Sequence, residues 1–122
     1  MNEFSSDHST TATRLVIYGS LAPGERHHDV LAPLRGEWRR CRVRGILREH
    51  AGYRILEWRG DAPWVEALLF LSPELPRYWD ELDAFEGEDY QRIVVPVETE
   101  EGETIANLYA DRKRLTGSEM RS

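Results

Sequence analysis

Glu86 is a carboxyl group that the sequence spacing places among apolar side chains. Leu75, Trp79 and Leu82 recur at helical spacing. This pattern predicts an amphipathic helix from Pro73 to about Glu86, with Glu86 roughly 20° from Leu75 in the middle of the apolar stripe. Burial there would raise its pKa toward neutrality, which suits a group that transfers protons. The alternative is that the helix ends one residue earlier and that the Glu86 side chain points into water.

A turn with two glycines, Gly19 and Gly24, follows the first predicted strand. Backbone N–H groups in such a turn can gather around an anion or an oxyanion, and Gly19 would let a ligand approach the chain closely. The turn lacks the Lys-Ser/Thr ending of a phosphate-binding loop and the glycine spacing of a dinucleotide-binding loop. A plain turn between a strand and a helix is the alternative interpretation.

The elements that must position these groups are mostly short strands. A second short helix is predicted over about Arg26 to Leu34, and Glu100-Glu101-Gly102 is typical of a hairpin turn. Helices inserted at only two places do not make regular βαβ units, so the pattern favours an α+β fold with a mostly antiparallel, barrel-like sheet. The predicted strands are Leu15–Tyr18, Trp38–Arg48, Tyr53–Trp58, Val65–Leu71, Tyr90–Glu98 and Glu103–Ala110.

The length of 122 residues is enough for one domain with one core. We expect this domain at residues 14–110, between a disordered N-terminal tail at 1–13 and a flexible C-terminal tail at 111–122, because both ends are polar and without apolar periodicity.

The charge balance argues against nucleic acid and membrane partners. The 16 basic and 22 acidic residues give a net charge of −6, which repels phosphate backbones and anionic lipid.

A single cysteine, Cys41, excludes an internal disulfide and a multi-cysteine metal site. The first thirteen residues resemble neither a secretory signal nor a transit peptide, so we expect a cytoplasmic protein.

Two segments together resemble the γ-glutamylcyclotransferase superfamily, in particular its small AIG2-like members. The first is Ile17-Tyr18-Gly19-Ser20-Leu21, and the second is Leu82-Asp83-Ala84-Phe85-Glu86-Gly87, followed by Tyr90-Gln91-Arg92 and a Val-rich strand. Leu108-Tyr109 near the end also fits. The resemblance covers about Arg14 to Ala110.

The resemblance implies a small mixed β-barrel with flanking helices. It also implies an enzyme that cyclises the glutamyl group of a γ-glutamyl amide or amine to 5-oxoproline and releases the amine. Glu86 would be the general acid and base, without a metal or cofactor. The expected partner is a small γ-glutamyl substrate, and the chain would be a monomer or homodimer. The residues expected to bind the substrate are Tyr18, Gly19, Ser20, Leu21, Tyr90 and Tyr109.

Two alternatives stay open at this point. The chain could be a non-catalytic module that binds a small molecule in the same cavity. It could also be an interaction protein that uses its Arg-rich strand around Arg42 and the acidic face of its helix.

The resemblance also bears on the substrate. The glutathione-specific branch usually has a Trp shortly after the turn, whereas this chain has Ala22-Pro23-Gly24, which argues against glutathione as the substrate.

Overall fold

Six strands and one α-helix make up most of the part of the chain that the structure describes. The computed structural model describes residues 10–19, 21–50 and 52–113. All six predicted strands are present, and the longest, β2, extends further in both directions than predicted. The helix α1 is Trp79–Glu86, and the strands are β1 Arg14–Ile17, β2 Glu37–His50, β3 Tyr53–Trp58, β4 Trp64–Leu71, β5 Tyr90–Thr99 and β6 Gly102–Asp111.

Five of the strands close into a barrel. The strand order is β3-β2-β4-β1-β6-β5. A further pairing between β2 and β5 closes the ring β2-β4-β1-β6-β5. The β1–β6 pair is parallel, and the other pairs are antiparallel. β3 pairs only with β2 and lies outside the closed ring. The predicted α+β fold with a mixed, mostly antiparallel barrel is therefore confirmed.

β2 can serve both the barrel and the β3 hairpin because it changes partner at Gly45. Up to Arg44 it pairs with β4, and from Gly45 onward it pairs with β3. Gly45 has a φ of 156°, and a Cβ there would lie 2.7 Å from the Glu57 carbonyl oxygen. Glycine at this position lets the strand bend and lets two backbones approach closely.

The apolar residues form two clusters on opposite faces of the strands. Because successive strand residues point to opposite faces, Leu15 and Ile17 of β1 join one cluster and Val16 joins the other. The cluster with Val16 consists of strand residues and fills the barrel. The other packs the turns of residues 21–34 and α1 against the outside of the sheet, and it includes Leu31, Leu75 and Leu82.

Both predicted helices are shorter than expected. The predicted helix at 26–34 is a series of turns with a single 3₁₀ turn at His28–Val30. The predicted helix at 73–86 divides into a 3₁₀ turn, Leu75–Arg77, and α1. A proline lies in each span, Pro33 and Pro76, and proline lacks an N–H group and disfavours helical geometry in the residue before it. The apolar side chains still reach the core without a continuous helix.

The residues just before β1 are attached to the barrel. Thr11–Thr13 form a 3₁₀ turn. Trp79 Nε1 donates to the Ala12 carbonyl oxygen at 3.0 Å, and Asn107 Nδ2 donates to that of Thr11 at 2.9 Å. This part of the structure begins before the expected domain boundary at Arg14, and β6 ends at Asp111, one residue past the expected boundary at Ala110. Residues 1–9 and 114–122 of the expected tails lie outside the described residues. Within the described ranges, no helix is long and apolar enough to cross a membrane.

Gly36 lies where β2 begins beside β4, and we expect it to tolerate no larger side chain. A Cβ there would lie 2.4 Å from the Leu71 carbonyl oxygen and 2.8 Å from Phe70 Cε1. Gly36→Ala should therefore lower the free energy of unfolding by about 1–3 kcal/mol through overpacking, measured by urea denaturation. The matched control is Gly60→Ala, whose Cβ would make an ordinary contact of 3.5 Å with Trp58. Equal effects of the two substitutions would contradict this prediction.

Candidate active site

Glu86 is the last residue of α1, and its carboxyl group faces a cavity. Gly87, with a φ of 82°, ends the helix and donates its N–H to the Asp83 carbonyl oxygen at 3.1 Å. The Glu86 side chain is partly buried and makes no hydrogen bond to any of the residues described. α1 therefore includes Glu86, one residue beyond the alternative end at Phe85, and the side chain enters a hollow instead of pointing into water.

Burial, and to a smaller extent the negative charge of Asp83, raises the pKa of Glu86 from its ordinary 4.5 to about 7. The first cause is desolvation, which disfavours the ionised form. With a pKa near neutrality, the carboxyl group can both accept and donate a proton at cellular pH.

The cavity beside Glu86 has a volume of about 40 Å³. It lies where the end of β1 meets the start of β3, the end of α1, and the strands β5 and β6. Of the predicted site residues it brings together Tyr18, Gly19, Leu21, Tyr90 and Tyr109 with Glu86. Ser20 lies outside the described residues. The remaining lining residues, which the sequence did not indicate, are Val16, Ile17, Tyr53 and Arg54.

The hydroxyl groups of two cavity tyrosines are engaged by backbone groups. Tyr18 Oη donates to the Tyr109 carbonyl oxygen at 2.6 Å and accepts the N–H of Leu56 at 3.2 Å. Tyr90 Oη donates to the Arg54 carbonyl oxygen at 2.8 Å. Burial raises the pKa of Tyr18 and raises that of Tyr90 to about 12, so both remain donors at neutral pH. These hydrogen bonds attach β3 and β6 to the residues of the cavity. Because the hydroxyl groups are engaged, the two tyrosines line the cavity with their aromatic rings.

Asp83, one helical turn before Glu86, is held as an ionised carboxylate. Arg92 donates to both of its oxygens, at 2.9 and 3.1 Å, and Tyr109 Oη donates to it at 2.6 Å. The hydrogen bonds from Arg92 are the main reason that the pKa of Asp83 lies below its ordinary value. The Arg92 guanidinium also lies over the Trp79 ring, 4.3 Å from its centroid. Two carboxyl groups on one helix face thus have pKa values displaced in opposite directions, a pattern found at acid–base sites.

Three aromatic side chains contact one another beside the cavity, and one of them, Tyr53, lines it. Tyr53 is 42 % exposed and Phe85 is 41 % exposed. The His27 ring lies between them, with centroid distances of 6.1 Å to Tyr53 and 5.3 Å to Phe85. We refer to His27, Tyr53 and Phe85 as the aromatic rim. The rings of Tyr53 and Phe85 are therefore each partly in water.

The described part of the chain contains no group of three or more His, Cys, Asp or Glu side chains that could hold a metal ion. The adjacent histidines have separate environments. His28 Nδ1 lies 3.0 Å from the Leu21 carbonyl oxygen, whereas His27 belongs to the aromatic rim.

Comparison with protein families gives a match over most of the chain. A family model described as "Gamma-glutamyl cyclotransferase, AIG2-like" matches residues 15–120. The chain belongs to this family. None of the curated proteins compared with it matches.

Solved structures agree with membership of the γ-glutamyl cyclotransferase, AIG2-like family. YkqA from Bacillus subtilis is 27 % identical over 81 % of this chain, with a TM-score of 0.66, and this chain spans 35 % of YkqA. A mouse AIG2-like protein is 16 % identical, with 80 % of this chain and 76 % of that one covered and a TM-score of 0.60. An Arabidopsis thaliana protein is 18 % identical, with coverages of 89 % and 74 % and a TM-score of 0.66. The last two identities are low, so these likenesses support the fold alone.

The raised pKa of Glu86 makes the stability of this family member depend on pH. Because the folded-state pKa lies above the unfolded value, this group stabilises the fold below pH 4.5, and the contribution is lost as the pH rises through about 7. Relative to Glu86→Gln, the wild-type free energy of unfolding should therefore fall across this interval, measured by urea denaturation at several pH values. Glu81→Gln, an exposed change on α1, is the control for the loss of a carboxyl group from the helix. A difference between the wild type and Glu86→Gln that does not change with pH would contradict the burial of the Glu86 carboxyl group.

Proposed function

We propose that this chain is an enzyme that converts the glutamyl group of a γ-glutamyl amide or amine into 5-oxoproline and releases the amine. Glu86 acts as its general acid and base. The observation that carries the proposal is a partly buried carboxyl group, with a pKa raised to about 7, that faces a cavity without a hydrogen-bond partner in the described part of the protein. Family membership supports the cyclotransferase kind of reaction.

The reaction needs two proton transfers, and one carboxyl group can perform both. With the α-amino group present as the neutral amine, its nitrogen attacks the side-chain carbonyl carbon of the same glutamyl group, and the Glu86 carboxylate takes one proton from that nitrogen as the bond forms. The resulting Glu86 carboxylic acid then gives its proton to the leaving nitrogen as the bond to the amine breaks. Such acid–base assistance contributes typically about 10²–10⁴-fold to a rate. Because the ring closes within one molecule, holding the glutamyl chain in a folded conformation removes much of the entropic barrier.

The walls of the cavity have two supporting roles in this proposal. Backbone N–H groups of the turn at Gly19 and Leu21 stabilise the negative charge that develops on the carbonyl oxygen, which preorganised donors do best. The tyrosine rings exclude water from Glu86 and so keep its pKa raised. Neither role requires a hydroxyl group that is already engaged within the protein.

The cavity is small, with a volume of about 40 Å³. A glutamyl group that enters it lies beside Tyr53, the member of the aromatic rim that lines the cavity. Tyr53 is 42 % exposed, so its ring has room to move on the solvent side as the substrate binds. A shift of this ring over the bound substrate would exclude water from Glu86.

Glu86→Gln should abolish the release of 5-oxoproline, because an amide can neither remove nor return the proton. We expect a loss of about 10²–10⁴-fold in kcat, with no decrease in Tm. The measurement is mass spectrometry of 5-oxoproline after incubation with a panel of γ-glutamyl amines and dipeptides. In the wild type, kcat/KM should rise with pH through about 7, where Glu86 ionises.

The control for this experiment is Glu81→Gln, which removes an exposed carboxyl group from the same helix. It should retain wild-type turnover. Undiminished turnover in Glu86→Gln would remove Glu86 from the mechanism. If γ-glutamyl compounds raise the Tm of the wild type and no 5-oxoproline forms, the chain is instead the non-catalytic binding module.

A further inference from the structure

We propose that Arg54 binds the α-carboxylate of the glutamyl group and thereby selects γ-glutamyl compounds whose main-chain carboxyl group is free. This inference rests on the proposed function and assigns a specificity-determining role to a residue that neither the sequence motifs nor family membership indicates. It disfavours glutamyl groups whose α-carboxyl is an amide, such as one at the N-terminus of a polypeptide.

Arg54 is held against the cavity at two points. Its Nη1 donates to the Tyr18 carbonyl oxygen at 3.3 Å, and its own carbonyl oxygen accepts the hydrogen bond from Tyr90 Oη at 2.8 Å. The side chain also begins beside the glycine turn, since a Cβ at Gly19 would lie 3.9 Å from Arg54 Cβ. The guanidinium group is therefore directed along the cavity wall by groups that belong to the site.

The charge of Arg54 has no carboxylate partner among the residues described. Nearby arginines have one, since Arg48 pairs with Glu57 at 2.7 Å and Arg59 pairs with Asp61 at 3.4 Å. Glu49 lies opposite Arg54 in the β2–β3 ladder and forms no ion pair with it. A guanidinium group has five N–H donors, and the one bond to Tyr18 leaves donors free to bind a carboxylate in the bidentate geometry that arginine favours.

The positions of Glu86 and Arg54 fit the α-amino group and the α-carboxylate of the substrate, respectively. Glu86 lies at the end of α1, and Arg54 lies near the start of β3 in another wall of the same cavity. An α-carboxylate would be repelled by the ionised form of Glu86 and attracted to Arg54. With the carboxylate on Arg54, the α-amino group is free to face Glu86, which is where the proposed reaction needs it.

The first test compares two substrates that differ only at this carboxyl group. One is a γ-glutamyl amide with a free α-carboxylate, and the other is the same compound as its α-carboxamide. In the wild type, kcat/KM should be about 10–100-fold higher for the free acid, as expected for a hydrogen-bonded charge. Arg54→Gln should remove this preference mainly through KM, and Arg54→Lys should retain part of it. Arg59→Gln removes a half-exposed positive charge from the end of β3 and should keep the wild-type preference.

If Arg54 only supports the turn, through its hydrogen bond to the Tyr18 carbonyl oxygen, the first test gives a different result. Arg54→Gln would then weaken turnover of both substrates by the same factor. That result, or an unchanged preference in Arg54→Gln, would overturn the inference while leaving the proposed function in place.

The second test does not depend on turnover, so it also applies if the proposed function fails. 5-Oxoproline and 2-pyrrolidinone share a ring and differ only in the carboxylate. At millimolar concentration, 5-oxoproline should raise the Tm of the wild type and of Arg59→Gln more than 2-pyrrolidinone does, and this difference should vanish in Arg54→Gln. Equal effects of the two compounds on the wild type, or no effect of 5-oxoproline, would overturn the inference.

Discussion

The desolvation of Glu86 is the constraint on which the site depends, because in water this carboxyl group would be fully ionised at neutral pH and a poor proton donor. Two local features of the fold produce this desolvation. Gly87 ends α1 immediately after Glu86, so the side chain lies at the tip of the helix beside the sheet. The rings of Tyr90 and Tyr109 then cover it from β5 and β6. A longer helix would carry the chain past the cavity and leave this edge of it open.

The fixed charge of Asp83 distinguishes this site from an isolated buried acid. Arg92 and Tyr109 keep Asp83 ionised through three hydrogen bonds. Its charge adds to the desolvation of Glu86, so the two carboxyl groups do not compete for the same proton near pH 7. This arrangement also commits the Tyr109 hydroxyl to Asp83, so Tyr109 contributes its ring to the cavity and its backbone carbonyl to Tyr18. The site is therefore shaped by hydrogen bonds that point away from the substrate.

The strands and most of the site could be predicted because their signals are local. Short apolar or alternating segments bounded by turn residues mark the strands, and Glu86 and the turn at Gly19 lie in short recognisable segments. The helices were predicted too long, since the apolar spacing continues across Pro33 and Pro76 whereas a continuous series of α-helical hydrogen bonds does not. The hydrogen bonds that span these prolines close tight turns, from Leu34 N–H to the Leu31 carbonyl oxygen and from Tyr78 N–H to that of Leu75. Arg54 could not be found in this way. Its place beside Tyr18 follows from the way β3 folds back on β2 at the barrel edge, and no spacing along the chain encodes it.

The overall charge of −6 opposes the binding of an anionic glutamyl group. Screening limits this effect, since at physiological ionic strength exposed charges farther apart than about 8 Å interact weakly. The charges that decide binding are therefore those that line the cavity. Asp83 is neutralised by Arg92, and Glu86 is partly protonated near pH 7. Arg54 is then the lining cation without a carboxylate partner in the described structure, and an acidic protein can present a locally positive site to an anion.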